Sequence, residues 1–97
     1  FDVAKLEELG MGGILGVARG SAQPPALIEL VHRPSGEPRR VVALAGKGIT
    51  FDSGGLSLKP AGAMEAQKRD MAGGANVLAV MSVIAQLELP LEVRAYV

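Results

Sequence analysis

The chain has no cysteine and no tryptophan, and only 3% of its residues are aromatic. Without thiols it can build neither a disulfide framework nor a thiolate zinc site. An excess of one charge is lacking too, since ten Lys and Arg balance ten Asp and Glu. No net field gathers nucleic acid or an anionic membrane, so neither is expected as a partner. No run reaches the roughly 18 consecutive apolar residues of a membrane span. The opening Phe1-Asp2-Val3-Ala4-Lys5-Leu6-Glu7-Glu8-Leu9 also lacks a signal-peptide profile. The expected compartment is the cytoplasm. Histidine occurs once, as His32, with no candidate ligands near it in sequence, which points to a packing or surface role.

What is abundant is aliphatic: 48% of the 97 residues are hydrophobic, and the two best apolar segments are nearly uniform rather than amphipathic. Such elements suit a parallel or mixed sheet covered by helices, an α/β architecture. That architecture needs more protein than one short chain supplies. The chain starts at Phe1 without a methionine and stops at Val97 inside a strand-like run, so an incomplete fragment of one larger domain is expected.

In order, residues 3–9 carry Val3, Leu6 and Leu9 on one helical face, with Asp2 as N-cap. Residues 11–18 suit a second helical turn or a tight apolar loop, with close packing as the reading for its glycines; their spacing is not that of a dinucleotide fingerprint. Ala26–His32 and Arg39–Ala45 read as strands joined by the turn Arg33–Pro38, and a hairpin of the two is expected. The longest helix pattern runs from Met71 to Leu87, with Val77, Val80, Met81, Ile84 and Leu87 at helical spacing, and reads as buried. Its first residues, Ala72-Gly73-Gly74-Ala75, are poor helix formers and suggest close backbone approach. Pro90 ends the helix, and residues 91–97 alternate as a strand.

Between strand and helix lies a glycine-rich stretch, residues 46–70, holding Lys47, Asp52, Lys59 and Asp70. Taken singly, Asp52 suits a turn and Asp70 a helix N-cap. Taken together, one leaves a strand and the other opens a helix, so both can project from the same end of one sheet, where open α/β folds bind ligands. Paired carboxylates repel unless protonated or bridged by a cation, and such oxygen ligands suit magnesium, manganese or zinc. Lys47 can ligate only as a neutral amine, while Lys59 can stay charged and stabilise a developing oxyanion. The alternative for both lysines is a solvated surface position or a salt bridge to an aspartate.

Other motifs fail on inspection. A P-loop requires glycine where Val41 stands and a hydroxyl residue where Gly48 follows Lys47; Ser53 lacks the glycine of a nucleophile elbow because Phe51 occupies that position; Ser57-Leu58-Lys59 is one residue short of a Ser-x-x-Lys arrangement.

The run Gly46–Pro60, with Lys68-Arg69-Asp70-Met71 and Gly73 after it, resembles the signature of the leucyl aminopeptidases, the cytosolic two-metal family. Gly10-Met11-Gly12, Gly20-Ser21 and Pro24-Pro25 resemble the start of that family's catalytic domain, so residues 1–97 read as its N-terminal portion. The resemblance implies that Lys47 binds one of two divalent ions (Zn, Mn or Mg) through its amine. It further implies that Asp52 bridges both ions, that Asp70 is another ligand of the lysine-bound ion, and that Lys59 polarises the substrate carbonyl. A metal-activated water would then release residues from peptides with a free N-terminus. A bound bicarbonate and a homohexamer are implied for the full-length enzyme. The family's further Asp, Glu and Arg have no counterpart here, so the isolated chain is expected to be inactive. Gln67 stands where many members carry a methionine lining the pocket for the first side chain, so leucine preference does not carry over. Gly74 and Asn76 vary a segment usually Ala and Thr-like, which reads as repacking. The alternative is a non-catalytic fragment or degenerate relative with a structural or oligomerising role.

Overall fold

The computed structural model describes all residues, Phe1–Val97. Two short helices, α1 (Val3–Glu8) and α2 (Gly12–Ala18), precede strands β1 (Glu29–His32) and β2 (Val41–Ala45). Then come α3 (Ala61–Glu65), a 3₁₀ segment (Ala66–Met71), the long helix α4 (Ala72–Leu87) and strand β3 (Glu92–Tyr96). Asp2 caps α1 as its sequence position suggests, its side chain accepting from the Lys5 N–H. The mixed α/β class expected from the sequence is what the chain forms.

The sheet has the order β1-β3-β2. The hairpin expected between the first two strands does not form, because β3 inserts between them, antiparallel to β1 and parallel to β2. A central strand must offer apolar side chains and ladder bonds on both edges. The alternation of β3 does this, with Val93 and Ala95 buried and Glu92, Arg94 and Tyr96 on the opposite face. There Tyr96 donates to Glu29 at 2.8 Å, and the Arg94 Nε donates to Glu92 at 2.7 Å. A parallel neighbour requires a crossover, and α4 supplies it between β2 and β3.

The core is small. Val77 and Met81 of α4 meet Val93 and Ala95, with Leu30, Leu44, Ile84, Leu91 and Val97 packed around them. The helix expected to be buried is therefore buried on one face only; Leu78, Val80, Val83 and Leu87 are exposed, because the chain provides a single sheet and nothing on the helix's far side. By length and composition alone the helical run Ala61–Leu87 would reach across a membrane. Here it is interrupted by the 3₁₀ segment and rests on the sheet. The radius of gyration is 16.2 Å, against about 13 Å for a compact domain of this length. The close-packing reading of the 11–18 glycines fails as well, since a Cβ added at Gly12, Gly13 or Gly16 meets nothing within 4 Å. His32 is half-buried, its ring 3.3 Å from the Leu89 carbonyl, tying the end of β1 to the segment after α4.

Candidate active site

The carboxyl ends of β2 and β3 lie side by side, Ala45 in register with Tyr96, and the Gly46 N–H continues the ladder by donating to the Tyr96 carbonyl at 2.9 Å. Just beyond, the chain passes under the start of α4 at backbone contact. A Cβ on Gly46 would overlap the Gly73 carbonyl, and one on Gly74 would lie 3.2 Å from both the Gly48 Cα and the Lys47 oxygen. The small residues opening α4 serve the close approach inferred from their composition. Gly74 tightens it further, since even an alanine there would press on a Val97 methyl.

The same approach corrects one expectation. Asp70 is not the N-cap of α4; it lies within the 3₁₀ segment, and Met71 occupies the cap position without a side-chain bond. The helix's first-turn donor at Gly74 is taken by the Lys47 carbonyl at 2.8 Å, so backbone from the strand end does the capping. That leaves the Asp70 carboxylate free for another partner, the Lys47 ammonium, 2.5 Å away.

The segment from Asp52 to Lys59 closes on itself. The Asp52 Oδ1 accepts from the Gly54 N–H, the turn role its type suggests, and the Ser53 carbonyl accepts from the Lys59 N–H, each at 2.9 Å. Gly54 and Gly55 take positive φ, +94° and +67°, where a side chain would be strained. The closure swings Lys59 back over Asp52, so that its Nζ donates to both the Asp52 Oδ2 and the Asp52 carbonyl at 2.9 Å.

All four residues singled out in the sequence thus meet at one end of the sheet, as two ion pairs, Lys47–Asp70 and Lys59–Asp52. In this arrangement the salt-bridge reading of the lysines is realised. The hydrogen bond from Lys59, then that from Gly54, holds the Asp52 carboxyl below the ordinary 3.8, and the more distant Lys47 charge adds to the effect. The hydrogen bond from Lys47 does the same for Asp70, which also feels Lys59 and, in the opposite sense, Asp52. The two pairs are one electrostatic cluster, with both carboxylates ionised.

The chemistry of these donors suits a divalent cation in part. Ionised carboxylate oxygens are hard ligands already free of their protons, and an amine joins them if it loses one. No group of three or more His, Asp or Glu side chains converges anywhere in the chain. Within this chain the cluster offers two carboxylates and two lysine amines as donors.

Beside it opens a cavity of ≈ 190 Å³ lined by Lys59, Ala63, Ala66, Gln67, Arg69 and Asp70. The sequence reading passed over Arg69 as a cavity residue. Its signal was the three-residue spacing of Ala63, Ala66 and Arg69, two small side chains leaving room beside a long one.

With this geometry in hand, comparison with known proteins is decisive. The profile of the cytosol aminopeptidase family, catalytic domain, matches residues 1–97. The chain belongs to the cytosol aminopeptidase family. The protein named "Probable cytosol aminopeptidase" in Chlorobaculum tepidum is 53% identical over 93 residues, covering 96% of this chain and 18% of that protein. Among solved structures, apo leucyl aminopeptidase from Trypanosoma cruzi superposes with a TM-score of 0.88 at 42% identity, over 98% of this chain and 19% of that one. The bottromycin maturation enzyme BotP, in complex with Mn, superposes with a TM-score of 0.86 at 49% identity, over 99% of this chain and 20% of the other. The chain spans about a fifth of the length of these family members.

Proposed function

We propose that this chain is the N-terminal portion of the catalytic domain of a metal-dependent aminopeptidase, which hydrolyses the first peptide bond of substrates with a free N-terminus. The observation that carries the reading is the convergence of Lys47, Asp70, Asp52 and Lys59 at the carboxyl end of a parallel strand pair, in a chain of this family. Asp52, Asp70 and the neutral amine of Lys47 would hold part of a site for two divalent ions, zinc, manganese or magnesium, with the remaining ligands supplied from outside these 97 residues. When bound, the ions supply Lewis-acid polarisation and a water acidified enough to act as nucleophile.

The chain's own residues prepare that chemistry. Asp52 and Asp70 are kept ionised by their lysines, so no carboxyl proton needs removing before a cation enters. Lys47, paired here with Asp70, would hold the ion as a neutral amine. Lys59 is held by two Asp52 oxygens, its Nζ donating to the Asp52 Oδ2 and the Asp52 carbonyl at 2.9 Å. From there it donates to the substrate carbonyl oxygen as negative charge develops, the preorganised stabilisation that hydrolysis of an amide requires. The isolated chain, with its partial shell, would be inactive. A bicarbonate, a homohexameric assembly and a cytoplasmic location belong to the same proposal for the full-length protein.

Both carboxylates are neutralised internally, and that favours as second reading a non-catalytic relative in which the two ion pairs only brace the loop. Asp52→Asn in the full-length protein separates the two. The aminopeptidase reading expects loss of at least one bound metal ion by elemental analysis, together with loss of hydrolysis of aminoacyl anilides. Metal content and hydrolysis both equal to wild type would overturn the site.

A further inference from the structure

The far end of α4 borders a second cavity, of ≈ 350 Å³, lined by His32, Arg33, Pro34, Ser35, Ala85 and Glu88. It is remote from the candidate active site, because Lys47 meets α4 at Gly74 and the helix from there to Ala85 is roughly 16 Å long. Two of its wall residues, Arg33 and Glu88, carry opposite charges, and neither is ion-paired, to the other or to any other residue. His32 precedes Arg33, and its ring contact with the Leu89 carbonyl holds the loop carrying one charge against the helix end carrying the other.

Glu88 stands where a carboxylate is unfavourable. It ends α4 in the left-handed region, at φ +47° and ψ +42°, a position usually given to glycine. It also adds negative charge to the end of a 16-residue helix whose last turn holds no basic residue and whose final carbonyls accept no backbone N–H from beyond the helix. A cation in the cavity would offset that repulsion, but Arg33 repels a bare cation and attracts an anion. A ligand that carries both charges satisfies both walls.

We infer that this cavity binds a free α-amino acid. Its α-carboxylate lies on the Arg33 guanidinium, with the Ser35 hydroxyl as a further donor, and its α-ammonium lies on Glu88 and the end of α4. Pro34 and Ala85 offer apolar contact to an aliphatic side chain. The volume of ≈ 350 Å³ exceeds the roughly 150 Å³ that encloses a benzene-sized ligand, so such a molecule fits. The inference goes beyond the aminopeptidase reading, and binding does not depend on it; that reading supplies a source of ligand, since each turnover releases one amino acid.

The experiment is equilibrium dialysis against labelled L-leucine of the full-length protein carrying Asp52→Asn, which disables the candidate active site and leaves this cavity untouched. Saturable binding of one leucine per chain is expected below about 10 mM. Adding Arg33→Gln or Glu88→Gln should weaken it about 10- to 100-fold, the effect of losing one charge-assisted contact. Leucinamide, which lacks the carboxylate, and N-acetylleucine, which lacks the ammonium, should compete more weakly than leucine by a similar factor; this arm decides the matter without any change to the cavity. Absence of saturable binding, binding that both substitutions leave unchanged, or either analogue competing as well as leucine overturns the inference. None of these outcomes touches the aminopeptidase reading, which stands or falls on hydrolysis by the protein with Asp52 intact.

Discussion

Substituting Gly46 by alanine tests the joint on which the candidate site is built. The new Cβ would sit 2.6 Å from the Gly73 carbonyl carbon and 2.7 Å from a Val77 methyl, where ordinary contact begins at 3.4 Å. The Val77 side chain can rotate away, but the Gly73 backbone cannot, so the start of α4 must retreat by roughly 1 Å. Retreat stretches the 2.8 Å bond from Gly74 to the Lys47 carbonyl and draws Asp70 away from Lys47. Overpacking of this kind costs about 1–3 kcal/mol and the weakened hydrogen bond about 1 kcal/mol. The stiffer unfolded chain returns about 0.4–1 kcal/mol. A net loss of about 1–4 kcal/mol is expected, read as a lower urea midpoint in the full-length protein, with weaker metal binding. Gly62→Ala is the control: its Cβ meets nothing within 4 Å inside α3, and it should be neutral or stabilising by up to about 1 kcal/mol. A Gly46→Ala midpoint equal to that of wild type would refute the reasoning, because the strand end and helix start would then have slack the geometry does not show.

Two further outcomes follow from the ion pairs. Lys59→Met should lower kcat for anilide hydrolysis by about 10²–10³-fold, the usual effect of losing one oxyanion donor, with metal content measured by elemental analysis close to wild type; an unchanged kcat would remove Lys59 from the chemistry. Asp52 and Asp70 have depressed folded-state pKa values, so the stability their pairs contribute is present above the ordinary aspartate value of 3.8 and is lost as pH falls through the lowered ones. The difference in urea midpoint between wild type and Asp70→Asn should accordingly be constant above about pH 5 and shrink below pH 3.8; a difference that widens on acidification would contradict the pairing.

Much of this was legible along the chain because it depends on local pattern. The helical spacing of Val77, Met81 and Ile84, the alternation around Val93 and Ala95, and the glycines that let residues 46–55 turn are each written within a few residues of where they act. The four site residues stood out because two cations and two carboxylates in a glycine-rich run between strand and helix have little reason to be there for packing. Strand order was not legible. A strand's side-chain alternation says which face is buried, and it is silent about which neighbour lies along each edge; the choice fell to β3 because α4 carried it back beside β2. Pairing of charges was decided in three dimensions too, since Lys47 meets Asp70 across 23 positions only where α4 crosses the strand end. The capping of α4 by the Lys47 backbone, and the orphaned amide of Gln67 beside Lys59 and Asp70, exist only once those segments touch. The sequence by itself determined the elements and the chemical inventory, through short-range sterics and periodicity. The tertiary structure decided which of those groups face one another, because contact between distant segments depends on how the whole chain packs.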